Sequence, residues 1–494
     1  MRLDEFLQRC GVPLYGPPAL REAGRRPIAS PSGHFAQIFC NNSVLMPEPV
    51  AHDASMLLAF RAENVRSFRD EIELSMVATS MSEPRFVRQV EWREGGRPIG
   101  VVPVVGVFGP NASGKSNLLE AMDDMRMYVL ESFRRDLRPD EHWPFGFDPE
   151  TRERPSRYEV DLVLEGVRTE YGFVLNRDSI VEEWAFRYPR GRAALLFHRH
   201  GQEVEVGTSG RGETRTVEKL LRPNSLLLSA AAAANHSLLL PLHQWFRRNL
   251  QLAHERNRPN RQAFTIQQLS DEDEREHVLD MLRAADLGIV GAKEHAIRLD
   301  PHMKERMERA IRLMVGDEIR LDDDDLDRVL NVERFGFTLL HQGAEDNLEL
   351  PPGYESLGTL VWLGLVGAVT AALTDGALLL ADELDASLHP ALVAELVRLF
   401  QDPRTNPNRA QLVFNSHDPT MLGDSSEDRL LGRDQIWFTE KLIEGNSRLY
   451  PLTELRPRKH EAIGRRYLDG RYGAMPILSR QDFNRIIPAL VSDN

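Results

Sequence analysis

The residue types best suited to chemistry begin in a loop with the spacing G-x-x-x-x-G-K-S. Its members, called the phosphate loop below, are Gly109, Pro110, Asn111, Ala112, Ser113, Gly114, Lys115 and Ser116. The apolar run 101–108 before it has the pattern of a buried strand, and the residues from Ser116 through Asn117 to Met122 are typical of a helix start. In this setting backbone N–H groups and the lysine hold phosphates, and the Ser116 hydroxyl ligates Mg²⁺. The alternative, a chance glycine loop with a surface lysine, does not explain the flanking strand and helix.

A second chemical cluster follows another apolar run. The segment 376–381 has the pattern of a buried strand and ends in Asp382 and Glu383. A carboxylate at the carboxyl end of such a strand can hold Mg²⁺ through water, and the next one can polarise an attacking water. We therefore predict Asp382 as the metal carboxylate and Glu383 as the general base. A solvated acidic turn is the weaker alternative, because apolar residues lead directly into the pair.

Two further short motifs, a histidine and a Ser–x–Gly turn, are weak signals alone and gain meaning only together with the phosphate loop and the acidic pair. The apolar segment 411–415 ends in Ser416, His417 and Asp418, so His417 can contact the γ-phosphate and the water, although a lone histidine is usually structural. Ser356 and Gly358 stand before the apolar stretch 360–373. A Ser–x–Gly turn at a helix start offers N–H groups to phosphate, but in isolation it would indicate only a capped core helix.

Taken in order, these motifs resemble the ATPase head of ABC and SMC proteins. Within that class the chain resembles the AAA-15 grouping of bacterial ATPases, which are associated with abortive infection and anti-phage defence. The resemblance covers about residues 56–480 and is carried by the segments 64–69, 109–117, 355–359, 382–390, 416–418, 434–441 and 467–476. One departure is visible, since Leu357 stands where such proteins usually have a polar or acidic residue.

The resemblance implies an α/β fold: an ABC/SMC-type P-loop NTPase head with an antiparallel β lobe and a compact helical insertion. It also implies ATP and Mg²⁺ as ligands and hydrolysis of ATP. Two heads of this class sandwich two nucleotides, so we expect an ATP-linked homodimer. Ser356 and Gly358 would then act in trans, and Asp385 would lie near the dimer seam.

The sequence predicts four segments. Residues 1–55 are rich in proline and glycine without a sustained period, which predicts a flexible extension, with Met56 as an alternative natural start of the protein. Residues 56–224 are predicted to form the first half of the head, with the phosphate loop and the β lobe. Residues 225–333 change to a helical period, with helices expected at 242–253, 277–285 and 303–314. Residues 334–494 are predicted to complete the head.

Composition is that of an ordinary globular protein. The 494 residues are 41% hydrophobic and 28% charged, with a net charge of −14, which argues against a protein that coats nucleic acid overall. The only cysteines, Cys10 and Cys40, cannot build a disulfide framework, so we expect a cytoplasmic protein. No membrane association is expected, because Asp375 and Gly376 break the longest apolar stretch into a helix and a strand.

Three clusters of charged residues can be interpreted either as solvated surface or as binding sites. The acidic run 322–327 is more consistent with a solvated turn than with a metal site. Two basic groups could bind nucleic-acid phosphates or a partner, although solvation and ion pairing are simpler explanations. They are Arg247, Arg248, Arg256, Arg258 and Arg261, and then Arg456, Arg458, Lys459, Arg465, Arg466 and Arg471.

Two functions remain open from the sequence. The first is an ATPase that senses phage infection and controls a partner effector encoded nearby, which the resemblance favours. The alternative is an SMC-like ATPase that acts on DNA ends in repair or recombination. An importer subunit is less favoured, since no glutamine loop follows the phosphate loop. A built-in nuclease is disfavoured because fewer than 80 residues follow His417.

Overall fold

A computed structural model of the chain describes residues 55–135, 142–285, 287–297, 305–306, 309, 334–344, 346–424 and 429–476. Within these, residues 256–367 form one compact unit, the first unit, and the remaining residues before and after them form the second unit. The predicted extension before residue 55, both cysteines and the acidic run 322–327 lie outside the described residues, as does most of the helix expected at 303–314.

The elements are numbered along the chain. The strands are β1 (Met56–Glu63), β2 (Ile72–Ser75), β3 (Arg88–Val90), β4 (Ile99–Val101), β5 (Val104–Phe108), β6 (Ser156–Leu164), β7 (Val167–Leu175), β8 (Ile180–Arg187), β9 (Ala194–His200), β10 (Glu203–Val206), β11 (Leu250–Ala253), β12 (Ile289–Ile297), β13 (Arg334–His341), β14 (Leu348–Leu350), β15 (Leu378–Ala381), β16 (Gln411–Ser416), β17 (Ile436–Lys441) and β18 (Ser447–Pro451). The helices are α1 (Lys115–Glu131), α2 (Pro149–Glu153), α3 (Arg211–Glu218), α4 (Leu227–Ala233), α5 (Leu240–Arg248), α6 (Arg258–Ser270), α7 (Arg275–Ala284), α8 (Leu357–Asp375), α9 (Pro390–Gln401) and α10 (Ile463–Leu468).

The second unit is built on two large sheets. A six-stranded sheet has the order β11-β15-β16-β5-β17-β18, and all its pairs are parallel except β17 with β18. A seven-stranded antiparallel sheet has the order β10-β9-β8-β7-β6-β1-β2 and is the predicted β lobe. With phosphate-loop strand β5 in the middle of the parallel sheet, the structure confirms the predicted α/β fold of a P-loop NTPase head.

The two sheets share a core with helix α1. Leu118, Met122 and Met125 of this helix belong to one buried cluster with residues of both sheets. The sheets are also joined directly, because the Gln411 side chain accepts a hydrogen bond from the Leu57 N–H at 2.6 Å and donates to the Leu57 carbonyl at 3.0 Å. The helix that follows the phosphate loop is therefore held from two sides.

Two expected elements differ in the structure. The run 101–108, expected as one strand, is divided into β4 and β5 at Pro103, which has no N–H to donate to a ladder. The helix expected at 242–253 ends at Arg248, and the next residues form β11, which pairs in parallel with β15. The segment 225–333 is thus not wholly helical, because it contributes β11 to the parallel sheet of the second unit and β12 to a sheet of the first.

The first unit combines helices α6 and α7 with a three-stranded sheet in the order β12-β13-β14. The beginning of α8 packs within it, since the Thr265 hydroxyl donates to the Leu363 carbonyl at 2.7 Å and the Trp362 indole donates to the Met281 carbonyl at 3.2 Å. By length and composition alone α8 could cross a membrane, with a mean hydropathy of 1.8. However, 67% of that window is buried inside the protein, as in the core helix of a soluble fold.

Candidate functional site

The phosphate loop connects β5 to α1 through two glycines in unusual backbone conformations. Gly109 has φ +156° and Gly114 has φ +106°. A Cβ atom at Gly114 would lie 2.4 Å from the Ser447 hydroxyl oxygen, so a larger residue has no room there. Within the loop, the Ser113 hydroxyl is 2.7 Å from the Thr439 hydroxyl of β17. Thr439 of strand β17 and Ser447 at the start of β18 therefore support the loop through direct packing and hydrogen bonding.

Lys115 is only 5% exposed and bonds to its own loop. Its ammonium donates to the carbonyl oxygens of Gly109 at 2.8 Å and Pro110 at 3.0 Å, and lies 3.4 Å from Nδ1 of His417. Burial lowers the pKa of Lys115 to about 8, against the opposing effect of nearby carboxylates. Phosphate oxygens are stronger acceptors than carbonyls, so a bound polyphosphate would take over these bonds and raise that pKa again.

The acidic pair at the end of β15 is held by Asn415 of the neighbouring strand β16. The Asn415 amide nitrogen donates to Oδ1 of Asp382, while its amide oxygen accepts from the Glu383 N–H. One side chain thus orients both the Asp382 carboxylate and the backbone of Glu383. Glu383 has φ +52°, a left-handed conformation that is uncommon for a residue with a side chain and often marks a functional site.

A network of close polar contacts connects the acidic pair to helix α1. Nε2 of His254, just after β11, lies 3.3 Å from Oδ2 of Asp382 and 3.6 Å from Oε1 of Glu120 on α1. Glu120 also pairs with Arg66, whose Nε bonds to Asp124 at 2.6 Å. Both oxygens of Asp382 therefore have partners, as is typical of a carboxylate that is oriented for a metal ion.

Asp385 and His417 face each other beside Glu383. The backbone N–H of His417 donates to Oδ2 of Asp385 at 3.1 Å, while Oδ1 of Asp385 is buried and accepts no hydrogen bond from the described part of the chain. Burial and then the Lys115 ammonium lower the pKa of His417, so the ring is neutral near pH 7. In the tautomer whose Nδ1 accepts from the Lys115 ammonium, the ring proton is on Nε2, where it can be donated to an anion.

These groups converge on a cavity of about 760 Å³. Its lining residues are Ser67, Asn111, Ala112, Ser113, Gly114, Lys115, Ser116, Asn117, Phe147, Glu383, Asp385, Ala386, His417, Lys441 and Gly445. Asp382 connects to this lining through Asn415. The structure therefore brings together the phosphate loop, the acidic strand end and the histidine, which the sequence predicted separately.

The donor set suits a magnesium ion. The hydroxyl of Ser116 and the carboxylate of Asp382 are hard oxygen ligands, and Mg²⁺ is usually bound by one or two such groups together with substrate phosphates and water. The unpartnered Oδ1 of Asp385 is a further acceptor for a water molecule at this site.

The Ser–x–Gly turn belongs to the first unit, whereas the residues that line the cavity belong to the second. Ser356 caps α8, with its hydroxyl accepting from the Thr359 N–H at 3.1 Å. Ser356 is exposed, Gly358 is half-buried and Leu357 is 52% exposed. The turn therefore presents the N-terminus of a 19-residue helix at the protein surface.

Several functional residues were not identified from the sequence. Asn415 and His254 orient Asp382, and Ser67, Phe147 and Lys441 line the cavity. Two of these lie in segments that carry the family resemblance, 64–69 and 434–441, but with no role attached. Asn415 could have been found, because it follows the apolar run of β16 directly before Ser416 and His417.

Comparison with known families identifies this arrangement. Residues 104–423 match the family described as "AAA domain, putative AbiEii toxin, Type IV TA system". The match spans more than half of the 494 residues. The chain belongs to this family. As a member of this AAA family it has a nucleotide-binding fold, and the match includes the phosphate loop, the acidic pair and His417. The predicted membership of an AAA family is thereby confirmed.

Among solved structures, the AAA protein is similar to heads of SMC proteins. The SMC head domain from Thermotoga maritima has a TM-score of 0.33 at 12% identity, covering 80% of this chain and 98% of that one. An Smc head domain with an extended coiled coil, bound to the C-terminal domain of ScpA derived from Pyrococcus furiosus, has a TM-score of 0.37 at 12% identity, covering 81% and 98%. No curated protein matches the chain by sequence.

Proposed function

We propose that this protein binds ATP with Mg²⁺ and hydrolyses it to ADP and phosphate. The observation that supports this most is the single cavity in which the phosphate loop, Glu383 and His417 meet. A fold that only held nucleotide would need the loop, but it would not need a carboxylate and a neutral imidazole beside it. Together these groups provide for both binding and water activation.

Each side chain then has a distinct part in the proposed reaction. Lys115 exchanges its loop carbonyls for oxygens of the β- and γ-phosphates. Ser116 and Asp382 would hold the magnesium ion, which when bound offsets the charge of the triphosphate. Glu383 accepts the proton of the attacking water, while Nε2–H of His417 donates to the γ-phosphate. Asn415 holds the Asp382 carboxylate and the Glu383 backbone in fixed positions relative to one another.

The role of His417 can be tested by its removal. His417→Ala is expected to lower the turnover number for ATP by about 10²–10⁴-fold, because a donor to the charge that develops in the transition state is lost. ATP affinity should change little, since Lys115 and the loop remain. Steady-state phosphate release and equilibrium ATP binding measure the two effects. If His417 is structural, His417→Ala would instead lower the melting temperature and leave the specific activity of the folded fraction intact.

We further propose that Phe147 stacks on the nucleotide base. Its ring is 69% exposed although it lines the cavity, and it lies next to the buried ring of Phe145, with 5.7 Å between the ring centroids. The Lys441 ammonium is 5.1 Å from the centroid of the Phe147 ring. An exposed aromatic face beside a phosphate loop is a suitable platform for a base.

Removal of the Phe147 ring should weaken ATP binding without affecting chemistry. Stacking of one base contributes about 1–3 kcal/mol, so Phe147→Ala should raise KM for ATP by about 5- to 150-fold at unchanged kcat. Phe147→Trp keeps an aromatic face and should bind ATP like the wild type. Equal KM values for wild type and Phe147→Ala would exclude the base contact, whatever the effect on stability.

We propose that two copies pair around ATP, with Ser356 and Gly358 of one copy facing the γ-phosphate held by the other. Support comes from the exposed helix start that the turn presents and from the unpartnered Oδ1 of Asp385. The predicted head of residues 56–224 and 334–494 differs from the two compact units, because residues 225–255 lie in the second unit and the described residues of 334–367 lie in the first. We propose that residues 256–367 are the inserted segment, which limited proteolysis with and without ATP can test.

In the cell we propose a cytoplasmic sensor ATPase of an anti-phage system that controls a partner effector. The support is the family description, which names a toxin–antitoxin system. Copurification of the chain with the products of its neighbouring genes, followed by native mass spectrometry, tests this. A bound toxin or nuclease supports the proposal, whereas an isolated homodimer that protects no host from phage contradicts it.

The second candidate is an SMC-like ATPase acting on DNA ends. The observation in its favour is a group of exposed basic side chains near the C-terminal end of the described residues: Arg456, Arg458, Lys459, Arg465 and Arg471. Stimulation of ATP hydrolysis by linear duplex DNA, lost when these residues are replaced by glutamine, would favour this alternative over the effector partner.

A further inference from the structure

Two histidines and a glutamate share one face of the seven-stranded sheet. Glu182 lies on β8, and His198 and His200 lie on β9. In the antiparallel register Glu182 is directly opposite His200, and His198 is two residues away on the same strand. Since side chains two apart on a strand point to the same side, all three project from the same face of the sheet.

Their ligand atoms are close enough to coordinate one ion. Nε2 of His198 lies 2.7 Å from Oε1 of Glu182, and Nε2 of His200 lies 4.0 Å from the same oxygen. One ligand atom from each side chain lies within 4.8 Å of the other two. In a tetrahedral zinc site with metal–ligand distances of about 2.0–2.2 Å, ligand atoms are about 3.3–3.6 Å apart. The observed distances bracket this value, so small side-chain rotations complete the geometry.

The neighbouring strand adds negative charge to the same face. In the register of β9 with β10, Glu203 is opposite His200 and Glu205 is opposite His198, and both glutamates are exposed. Between the two histidines, Arg199 points the other way and is fully buried, with its guanidinium bonded to the Ser225 carbonyl at 2.5 Å. The buried Arg199 side chain therefore anchors strand β9, and the two proposed ligands His198 and His200 project from its opposite face.

We propose that Glu182, His198 and His200 form a site for a divalent transition-metal ion, zinc by preference, that ties β8 to β9. Two imidazoles with one carboxylate suit zinc, cobalt or nickel and not magnesium or calcium, which prefer oxygen ligands. The site shares no residue with the lining of the nucleotide cavity. It goes beyond the proposed ATPase function and does not depend on it.

Titration of the full-length, tag-free protein with ZnCl₂ in the absence of nucleotide tests the site. We expect one equivalent of zinc to bind and to raise the melting temperature, and cobalt to give the absorption of a tetrahedral site, while MgCl₂ does neither. Replacing His198 or His200 with alanine should weaken zinc binding by about 10-fold or more, as should Glu182→Gln. Melting temperatures without metal show whether each variant is folded.

Two control variants locate the ion. His277→Ala removes an exposed histidine of α7 and should leave zinc affinity unchanged. His254→Ala removes the histidine next to Asp382 and should also leave it unchanged if zinc binds on the β lobe. Absence of zinc binding by the wild type, unchanged affinity in both His198→Ala and His200→Ala, or loss of binding in His254→Ala alone would each overturn the proposal.

Discussion

Replacing Glu383 with glutamine is expected to give a protein that binds ATP and fails to hydrolyse it, whereas Lys115→Ala should bind ATP much more weakly. The amide cannot accept the proton of the attacking water, so turnover should fall by about 10²–10⁴-fold at unchanged affinity. Loss of the ammonium removes a charge-assisted contact worth about 1.5–3 kcal/mol, which is about 10- to 150-fold in Kd. Binding of a fluorescent ATP analogue and phosphate release separate the two defects.

Matched substitutions elsewhere in the chain control for nonspecific effects. Glu395→Gln changes an exposed glutamate of α9, and Lys219→Ala changes an exposed lysine after α3. Both should bind and hydrolyse ATP like the wild type. Full turnover by Glu383→Gln would remove this residue from the reaction, and normal ATP affinity of Lys115→Ala would show that the phosphate loop does not hold the nucleotide.

A mixture of two inactive variants is expected to recover part of the ATPase activity if catalysis is shared between copies. Gly358→Glu places a carboxylate in the turn that we propose faces the γ-phosphate of the other copy, so it should block pairing and hydrolysis while its own phosphate loop still binds ATP. Lys115→Ala has a defective loop but an intact turn. In a mixed dimer, one of the two sites combines the intact loop of one copy with the intact turn of the other.

The mixing experiment has a matched control within the same unit. Gly353→Glu introduces the same charge at a glycine whose added Cβ would meet no atom within 4 Å, and it should hydrolyse ATP normally. Native mass spectrometry must show that mixed dimers form. Mixed dimers without activity, or normal hydrolysis by Gly358→Glu alone, would exclude the shared site and leave a self-contained ATPase.

Much of the fold could be predicted because its local patterns are strong. The antiparallel β lobe, the start of helix α1 and strand β15 all lie near the positions predicted from the sequence. Strand β11 was missed because its four residues follow an amphipathic helix without a break, and its partner β15 begins 128 residues later. A short parallel strand of this kind has no local signal, since only the distant partner makes it a strand.

The site was predictable to the extent that its residues lie in contiguous motifs. Lys115, Asp382 and Glu383 could be assigned because spacing and a preceding apolar run indicate their surroundings. His254 and Phe147 follow no motif, and their roles depend on packing that brings β11 beside β15 and residue 147 beside Lys441. The sequence therefore identified the groups of the proposed reaction, while the structure was needed to find those that orient and cover them.

The position of β5 in the parallel sheet has a consequence for synthesis on the ribosome. The phosphate loop is translated by residue 116, yet both strands that flank β5 come from residues 411–441. Such long-range pairing is slow to form and depends on late segments of the chain. A nascent or prematurely terminated polypeptide that ends before β16 thus contains the motif but lacks Asn415, His417 and the strands that shape the loop. The proposed ATPase activity therefore requires that translation has passed the end of β17.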